Sequence, residues 1–169
     1  MAHELKLKEG DAAPAFTASA NGGQTVSLAD FRGRPVILYF YPKDDTPGCT
    51  KESIAFTGAL PKFEKANTTV IGISRDSCAS HAKFREKYKL EHALGADEDG
   101  KVTDAYGVWV EKSMYGKKYM GIERATFLID GKGVIRGIWR KVKVPGHVDE
   151  VLAATIRVLD RAGFAIGRP

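Results

Sequence analysis

Between Val36 and Tyr41 six apolar residues follow one another with no polar interruption, Val-Ile-Leu-Tyr-Phe-Tyr. A run without alternation fits a strand covered on both faces, and we place a strand over 34–41. Pro42 ends it, because proline brings no N–H to the ladder. A second such run, Thr68 to Ser74, predicts a second buried strand. Between the two the spacing becomes helical, from about Thr46 to Ala66. Thr46 suits a cap and Pro47 the first helical position. Pro61 falls inside this pattern and should kink or interrupt the helix. Asp76-Ser77 caps a further helix, Cys78 to Lys89, with Phe84 and Tyr88 at helical spacing. Leu94 to Asp97 reads as a short strand, Glu98 to Gly100 as a turn and Val102 to Tyr106 as a short helix. Residues 107–121 hold glycines and many charges and read mostly as loop.

Towards the C-terminus, Arg124 to Ile129 is a strand, Asp130 to Gly133 a turn and Val134 to Trp139 the antiparallel partner. Arg136 and Arg140 face outward there, as on an edge strand. A last helix from about Val148 to Ala162 gathers Val151, Leu152, Thr155, Ile156 and Leu159 on one face, and Gly163 ends it. Ahead of the central strand, residues 15–32 contain short strand-like pieces around Asn21-Gly22-Gly23, a hairpin signal, and one helical turn at Ser27 to Phe31. A βαβ unit followed by ββα, with a cysteine at the start of the helix after the first central strand, fits an α/β, thioredoxin-like fold. The expected architecture is a central mixed sheet flanked by helices, with an N-terminal β-hairpin extension. Thr46-Pro-Gly-Cys49 stands where a thioredoxin carries Cys-x-x-Cys. Thr in place of the first Cys removes the dithiol that disulfide reduction needs. A thioredoxin also has a proline just before the strand that begins near Arg124, and this chain has none.

The 169 residues suit one domain, 1–169, and a 43% hydrophobic, 28% charged composition is that of an ordinary water-soluble domain. Two cysteines cannot make a disulfide framework. Met1 to Lys8 has no apolar signal region and no stretch is long enough to span a membrane, so the expected compartment is the cytoplasm. The formal charge of +5 raises the question of nucleic acid. Lys and Arg are dispersed, however, with local clusters at Lys117-Lys118 and Arg140 to Lys143, and no aromatic–basic interleaving. No nucleic-acid partner is expected. His3, His81, His92 and His147 lack metal-ligand spacing, and His81 reads as a helix-surface residue.

Cys49 is the candidate for chemistry. It falls in the first turn of the helix that begins at Thr46, where free N–H groups and the positive end of the helix dipole favour a thiolate. The residues alone leave a small buried hydrophobe as the competing reading. They also leave Thr46 as a plain cap, Pro42 as a strand terminator and Arg124 as a surface cation.

Pro42-x-x-x-Thr46-x-x-Cys49 resembles the active-site motif of the peroxiredoxins. The fuller wording, Tyr39-Phe-Tyr-Pro-Lys to Thr46-Pro-Gly-Cys-Thr50, is similar to the bacterioferritin comigratory protein or peroxiredoxin Q subfamily. The likeness runs from about Leu7 to the last helix. It includes Gly10-Asp11-x-Ala13-Pro14-x-Phe16, Gly72-Ile-Ser74, Gly107-Val-Trp109-x-Glu-Lys-Ser113 and Gly121-Ile-x-Arg124-x-x-Phe-Leu-Ile-Asp130. The resemblance implies a thiol peroxidase for hydrogen peroxide and organic hydroperoxides, recycled by thioredoxin or a similar thiol reductant, working as a monomer without metal, haem or flavin. It implies Cys49 as peroxidatic nucleophile, Thr46 as a contact to the peroxide, Pro42 as a shield and Arg124 as the cation that favours the thiolate and stabilises the transition state. The backbone N–H groups of Gly48 and Cys49 would add peroxide contacts. Trp109 and Tyr39 are expected to pack. Where many relatives carry a second cysteine five residues on, this chain has Ile54. Others carry it on the next helix nearer position 85, and Cys78 lies two turns before that position on the same face. Cys78 is therefore the candidate resolving cysteine. The alternatives are a one-Cys peroxidase recycled by an external thiol, with Cys78 a bystander, and a non-enzymatic redox sensor.

Overall fold

The structure, a computed structural model, describes residues 7–20 and 23–161. Its centre is the unalternated run. Strand β3 (Val36–Phe40) is buried at every position, and its pleat sends Val36, Leu38 and Phe40 into one core and Ile37, Tyr39 and Tyr41 into another. Two cores on opposite faces are why the run needs no polar residue.

The other elements cover those faces. In chain order they are β1 (Thr17–Ser19), β2 (Thr25–Ser27), a 3₁₀ turn (Leu28–Phe31), β3, α1 (Pro47–Lys65), β4 (Thr69–Ser74), α2 (Cys78–Tyr88), β5 (Ala93–Ala96) and α3 (Lys101–Ala105). There follow β6 (Trp109–Met114), β7 (Lys117–Ile122), β8 (Ala125–Ile129), β9 (Ile135–Trp139) and α4 (His147–Arg161). Seven strands form one mixed sheet in the order β2-β1-β5-β4-β3-β8-β9. β3, β4 and β5 run parallel, whereas β8 lies antiparallel to β3 with Phe40 opposite Ala125. Phe56 and Phe63 of α1, Phe84 of α2 and Val148 and Val151 of α4 fill the core on one face. Val102, Tyr106 and Val108 lie in the other. The N-terminal hairpin joins the sheet through Ser19 opposite Ala96. This is the mixed α/β sheet flanked by helices that the pattern predicts. Asn21 and Gly22 of the hairpin turn, and the expected helix end at Gly163, lie outside the described residues.

Three expectations need correction. Residues 107–121 are not mostly loop: β6 and β7 pair over six positions, from Trp109 opposite Ile122 to Met114 opposite Lys117. The two-residue turn is Tyr115-Gly116, both at positive φ (53° and 78°), the geometry that matches strand twist in a hairpin. Tyr in place of Asn or Asp at its first position hid the signal. Pro61 does not interrupt α1, which continues to Lys65. It lies on the exposed side of the helix, so its ring is not forced into the core. His81 is not a surface residue but is buried, because α2 packs that face on the sheet.

A Cβ at Gly72 of β4 would lie 2.6 Å from the Tyr39 ring, so the Gly72-Ile-Ser74 wording makes room for that ring. Tyr39 in turn stacks on Phe56 at 4.5 Å. Its hydroxyl bonds Ser53 at 2.9 Å and His92 Nε2 at 2.6 Å, and Thr57 bonds His92 Nδ1 at 2.9 Å. Two polar residues of α1 are thus tied to groups beneath the helix. Burial pushes His92 down to about 3, so the ring is neutral and can take one bond as donor and one as acceptor.

Candidate active site

Helix α1 starts from the end of β3 with Pro47 in its first turn and Thr46 as N-cap residue in extended geometry. The Thr46 side chain does not cap. Its hydroxyl donates to the Lys43 carbonyl at 2.8 Å, so the first amides of α1 keep their N–H groups free of a side-chain partner. Cys49 stands in that first turn, 1% exposed, its sulfur aimed at the residue that precedes β8.

That residue is Arg124. Its Nη2 donates to Cys49 Sγ at 3.2 Å and its Nη1 to Glu52 Oε1 at 2.7 Å. The antiparallel register of β3 and β8, which ends at Phe40 opposite Ala125, delivers the guanidinium to the mouth of the helix. Gly48 lets it approach: a Cβ there would lie 3.1 Å from Nη2. Burial works against the guanidinium charge, but Glu52 and Cys49 outweigh it and raise the pKa further, so the cation is permanent.

Glu52 carries a charge-bearing group into the core and has no exposed surface. Burial pushes its carboxyl up to about 7 although Arg124 pulls it down. Its Oε2 has no hydrogen-bond partner among the described residues, which suits a carboxyl that holds a proton near neutral pH. Sequence reasoning missed Glu52. The available signal was its place three residues after Cys49, on the same helix face as the sulfur. Lys112 of β6 was missed as well. It is half-buried between exposed Glu111 and Ser113. Burial and Arg124 lower its pKa, while Cys49 and Glu123 oppose them. It thus adds positive charge from the hairpin side of the site.

Of the five residues singled out from the sequence, the fold brings Cys49, Thr46 and Arg124 to one place, and Pro42 stands half-buried at the head of the same loop. It does not bring Cys78 there. Cys78 is the first residue of α2, and its thiol donates to the Ala20 carbonyl at 3.7 Å, beyond β1. Both thiols are free. Trp109 packs, with the Arg75 guanidinium 3.4 Å above its ring.

A thioredoxin-type sheet, a single cysteine in the first turn of the helix after its central strand, and an arginine bonded to that sulfur define a class of thiol enzyme rather than a dithiol reductase. Residues 9–138 match the AhpC/TSA family. The chain is 51% identical over 148 residues to a putative peroxiredoxin bcp of Coxiella burnetii, covering 88% of this chain and 98% of that one. It is 45% identical to the peroxiredoxin Bcp of Bacillus subtilis, covering 88% and 94%. Among solved structures it superposes on Xanthomonas campestris peroxiredoxin Q with a TM-score of 0.81 at 45% identity, covering 84% of this chain and 90% of that one. A structure of the bacterioferritin comigratory protein of the same organism, from work on its alkyl peroxide reduction activity, gives 0.82 at 42% identity, covering 91% and 98%. The chain belongs to the AhpC/TSA family, as a peroxiredoxin of the Bcp or Q type, and is a thiol-dependent peroxidase. No helix among the described residues is long and apolar enough to cross a membrane.

Proposed function

We propose that Cys49 is the peroxidatic nucleophile for hydrogen peroxide and organic hydroperoxides. The observation that carries the reading is the 3.2 Å bond from Arg124 Nη2 to a sulfur only 1% exposed. The thiolate attacks one peroxide oxygen, the S–O bond forms as the O–O bond breaks, and the leaving oxygen takes a proton to become water or an alcohol. Negative charge moves from sulfur to the departing oxygen. A fixed guanidinium beside both stabilises that movement without reorganising. Thr46 has committed its only hydroxyl proton to Lys43, so its oxygen offers lone pairs and accepts the O–H of a bound hydroperoxide. The N–H groups of Gly48 and Cys49 are further donors, and Pro42 limits water at the sulfur.

Cys49 is left as a sulfenic acid. On this reading the Cys78 thiolate attacks that sulfur, a disulfide forms and water leaves. Thioredoxin or a similar dithiol then returns both thiols by supplying two electrons. Because Cys78 bonds Ala20 in the reduced protein, the step requires α1, α2 or both to move until the α-carbons are within about 7 Å. The likeness to Q-type peroxiredoxins extends the reading to a single-domain monomer over 1–169 in the cytoplasm, where cysteines stay reduced.

One equivalent of hydrogen peroxide added to reduced protein, followed by intact mass and peptide mapping, tests it. Loss of two hydrogens with a Cys49–Cys78 peptide is expected. Gain of one oxygen on Cys49 would assign a one-Cys cycle recycled by an external thiol. An unchanged mass would overturn the role of Cys49.

A further inference from the structure

The six residues between β3 and α1 contain two adjacent aspartates, Asp44 and Asp45. Neither touches Cys49, yet both are heavily bonded, and both reach α2. The Asp44 carboxylate accepts from Tyr41 at 2.6 Å, from Ser80 at 2.8 Å and from His81 Nδ1 at 2.7 Å. The other ring nitrogen of His81 donates to the Gly95 carbonyl at 3.1 Å. Both ring nitrogens are thus engaged, and the Asp44–His81 bond is closed off from solvent. The Asp44 N–H donates to Asp76 at 2.9 Å, in the segment that leads into α2. Asp44, Asp76 and His81 bring possible ligand atoms within 4.8 Å of one another, but the Asp44 oxygens are already bonded to three side chains.

Asp45 adds a second attachment at the far end of α2. Its backbone is in the left-handed region, φ 56°, unfavourable for a residue with a Cβ. Its carboxylate accepts from Lys87 at 2.8 Å and from the Tyr88 hydroxyl. Asp44 therefore grips the first turns of α2 and Asp45 its last. Only Lys43 separates Asp44 from Pro42, and the Lys43 carbonyl takes the Thr46 proton. The direction of that carbonyl depends on how Asp44 and Asp45 are held.

We propose that Asp44, held by His81 and assisted by Asp45, is a positioning residue for the peroxidase reaction. It fixes the Lys43 carbonyl, which commits the Thr46 proton and leaves the Thr46 oxygen as acceptor for the hydroperoxide. The inference rests on the role of Thr46 proposed above. The chain of contacts runs from α2 through Asp44 to Lys43 and Thr46, and ends at the peroxide rather than at the sulfur. Disturbing it weakens peroxide positioning while leaving the intrinsic nucleophilicity of Cys49 in place.

The test compares two rates in the full chain: reduction of hydrogen peroxide followed by stopped flow, and alkylation of Cys49 by iodoacetamide, which needs no contact with Thr46. Asp44→Ala should slow peroxide reduction roughly tenfold and leave alkylation within about twofold, the size expected when a reactant is misaligned. Asp44→Asn keeps an oxygen for His81 and Ser80 and a polar group for Tyr41, and should recover most of the peroxide rate. Combined with Thr46→Val, the Asp44→Ala effect should disappear, because both act on one contact. Should Asp44→Ala fail to fold, Lys87→Met with Tyr88→Phe loosens the Asp45 end and should slow peroxide roughly fivefold with alkylation again within about twofold. Equal slowing of both rates, or additive effects with Thr46→Val, would overturn the proposal. A Thr46→Val protein with the wild-type peroxide rate would instead refute the role of Thr46 on which it rests.

Discussion

Cys49 and Cys78 occupy equivalent places in the fold and have opposite surroundings. Each stands in the first turn of a helix that follows a parallel central strand, β3 for one and β4 for the other. At Cys78 the Ser77 side chain accepts the Ser80 N–H, the sulfur is half-exposed, and its proton is spent on a carbonyl. At Cys49 the capping residue turns its hydroxyl away, the amides stay unclaimed by any side chain, and a guanidinium bonds the sulfur. A helix N-terminus alone therefore does not decide what surrounds a cysteine. The difference lies in what the cap does with its side chain and which strand end delivers a cation.

Substitutions can break that comparison, and the largest effect is at the sulfur. Cys49→Ser should lower the first-turnover rate with hydrogen peroxide by roughly 1,000-fold or more. Cys78→Ser should leave that first turnover unchanged and impair only steady turnover with thioredoxin. Equal losses in the first turnover would erase the distinction between the two thiols.

Next comes the cation. Arg124→Gln should slow peroxide reduction by roughly 100-fold, with a smaller fall in iodoacetamide alkylation, since alkylation does not break an O–O bond. A peroxide rate within a few-fold of wild type would remove Arg124 from the explanation.

Glu52 modulates the same contact through pH. Burial pushes its carboxyl up to about 7, so the folded chain holds a proton that the unfolded chain loses near 4.5. The folded state binds more protons across that window, and the contribution to stability falls as pH rises from about 4.5 to about 7. Above the window an ionised Glu52 competes with the Cys49 sulfur for the Arg124 charge. Glu52→Gln should flatten the pH dependence of the urea midpoint relative to wild type between pH 5 and pH 8, and should make the peroxide rate less sensitive to pH across neutrality. Parallel curves for the two proteins would show that Glu52 does not titrate there.

The smallest effect sharpens the comparison from the other side. Ser77→Ala releases the Ser80 amide beside Cys78 and should raise alkylation of Cys78 only about twofold, the scale of a helix-end electrostatic term. A rise that matched Cys49 would mean that the cap, and not Arg124, sets the contrast.

Much of the architecture was legible in the residues. The unbroken run from Val36 to Tyr41 requires cover on both faces, Pro42 stops it, and Thr46-Pro47 starts a helix with Cys49 in its first turn. These are local facts of backbone bonding and period, so a sequence carries them. The motif spacing carried the family as well. The β6–β7 hairpin was not legible, because charged residues on both strands mask the alternation and Tyr115 disguises the turn. The burial of His81 was not legible either, since a helix with few apolar residues gives little sign of which face meets the sheet.

By itself the sequence determined the order of the elements outside 107–121, the class of fold and the cysteine at the helix mouth, since these rest largely on patterns among residues near in the chain. Only the tertiary structure decided what that cysteine meets. Arg124 lies 75 positions from Cys49 and His81 lies 37 from Asp44, and such pairs exist only once strand register and helix packing are set. It likewise turned Cys78 towards Ala20, 58 positions away. Sequence spacing had placed Cys78 on a helix face, but only the packed sheet shows that this thiol meets the carbonyl beyond β1 instead of Cys49.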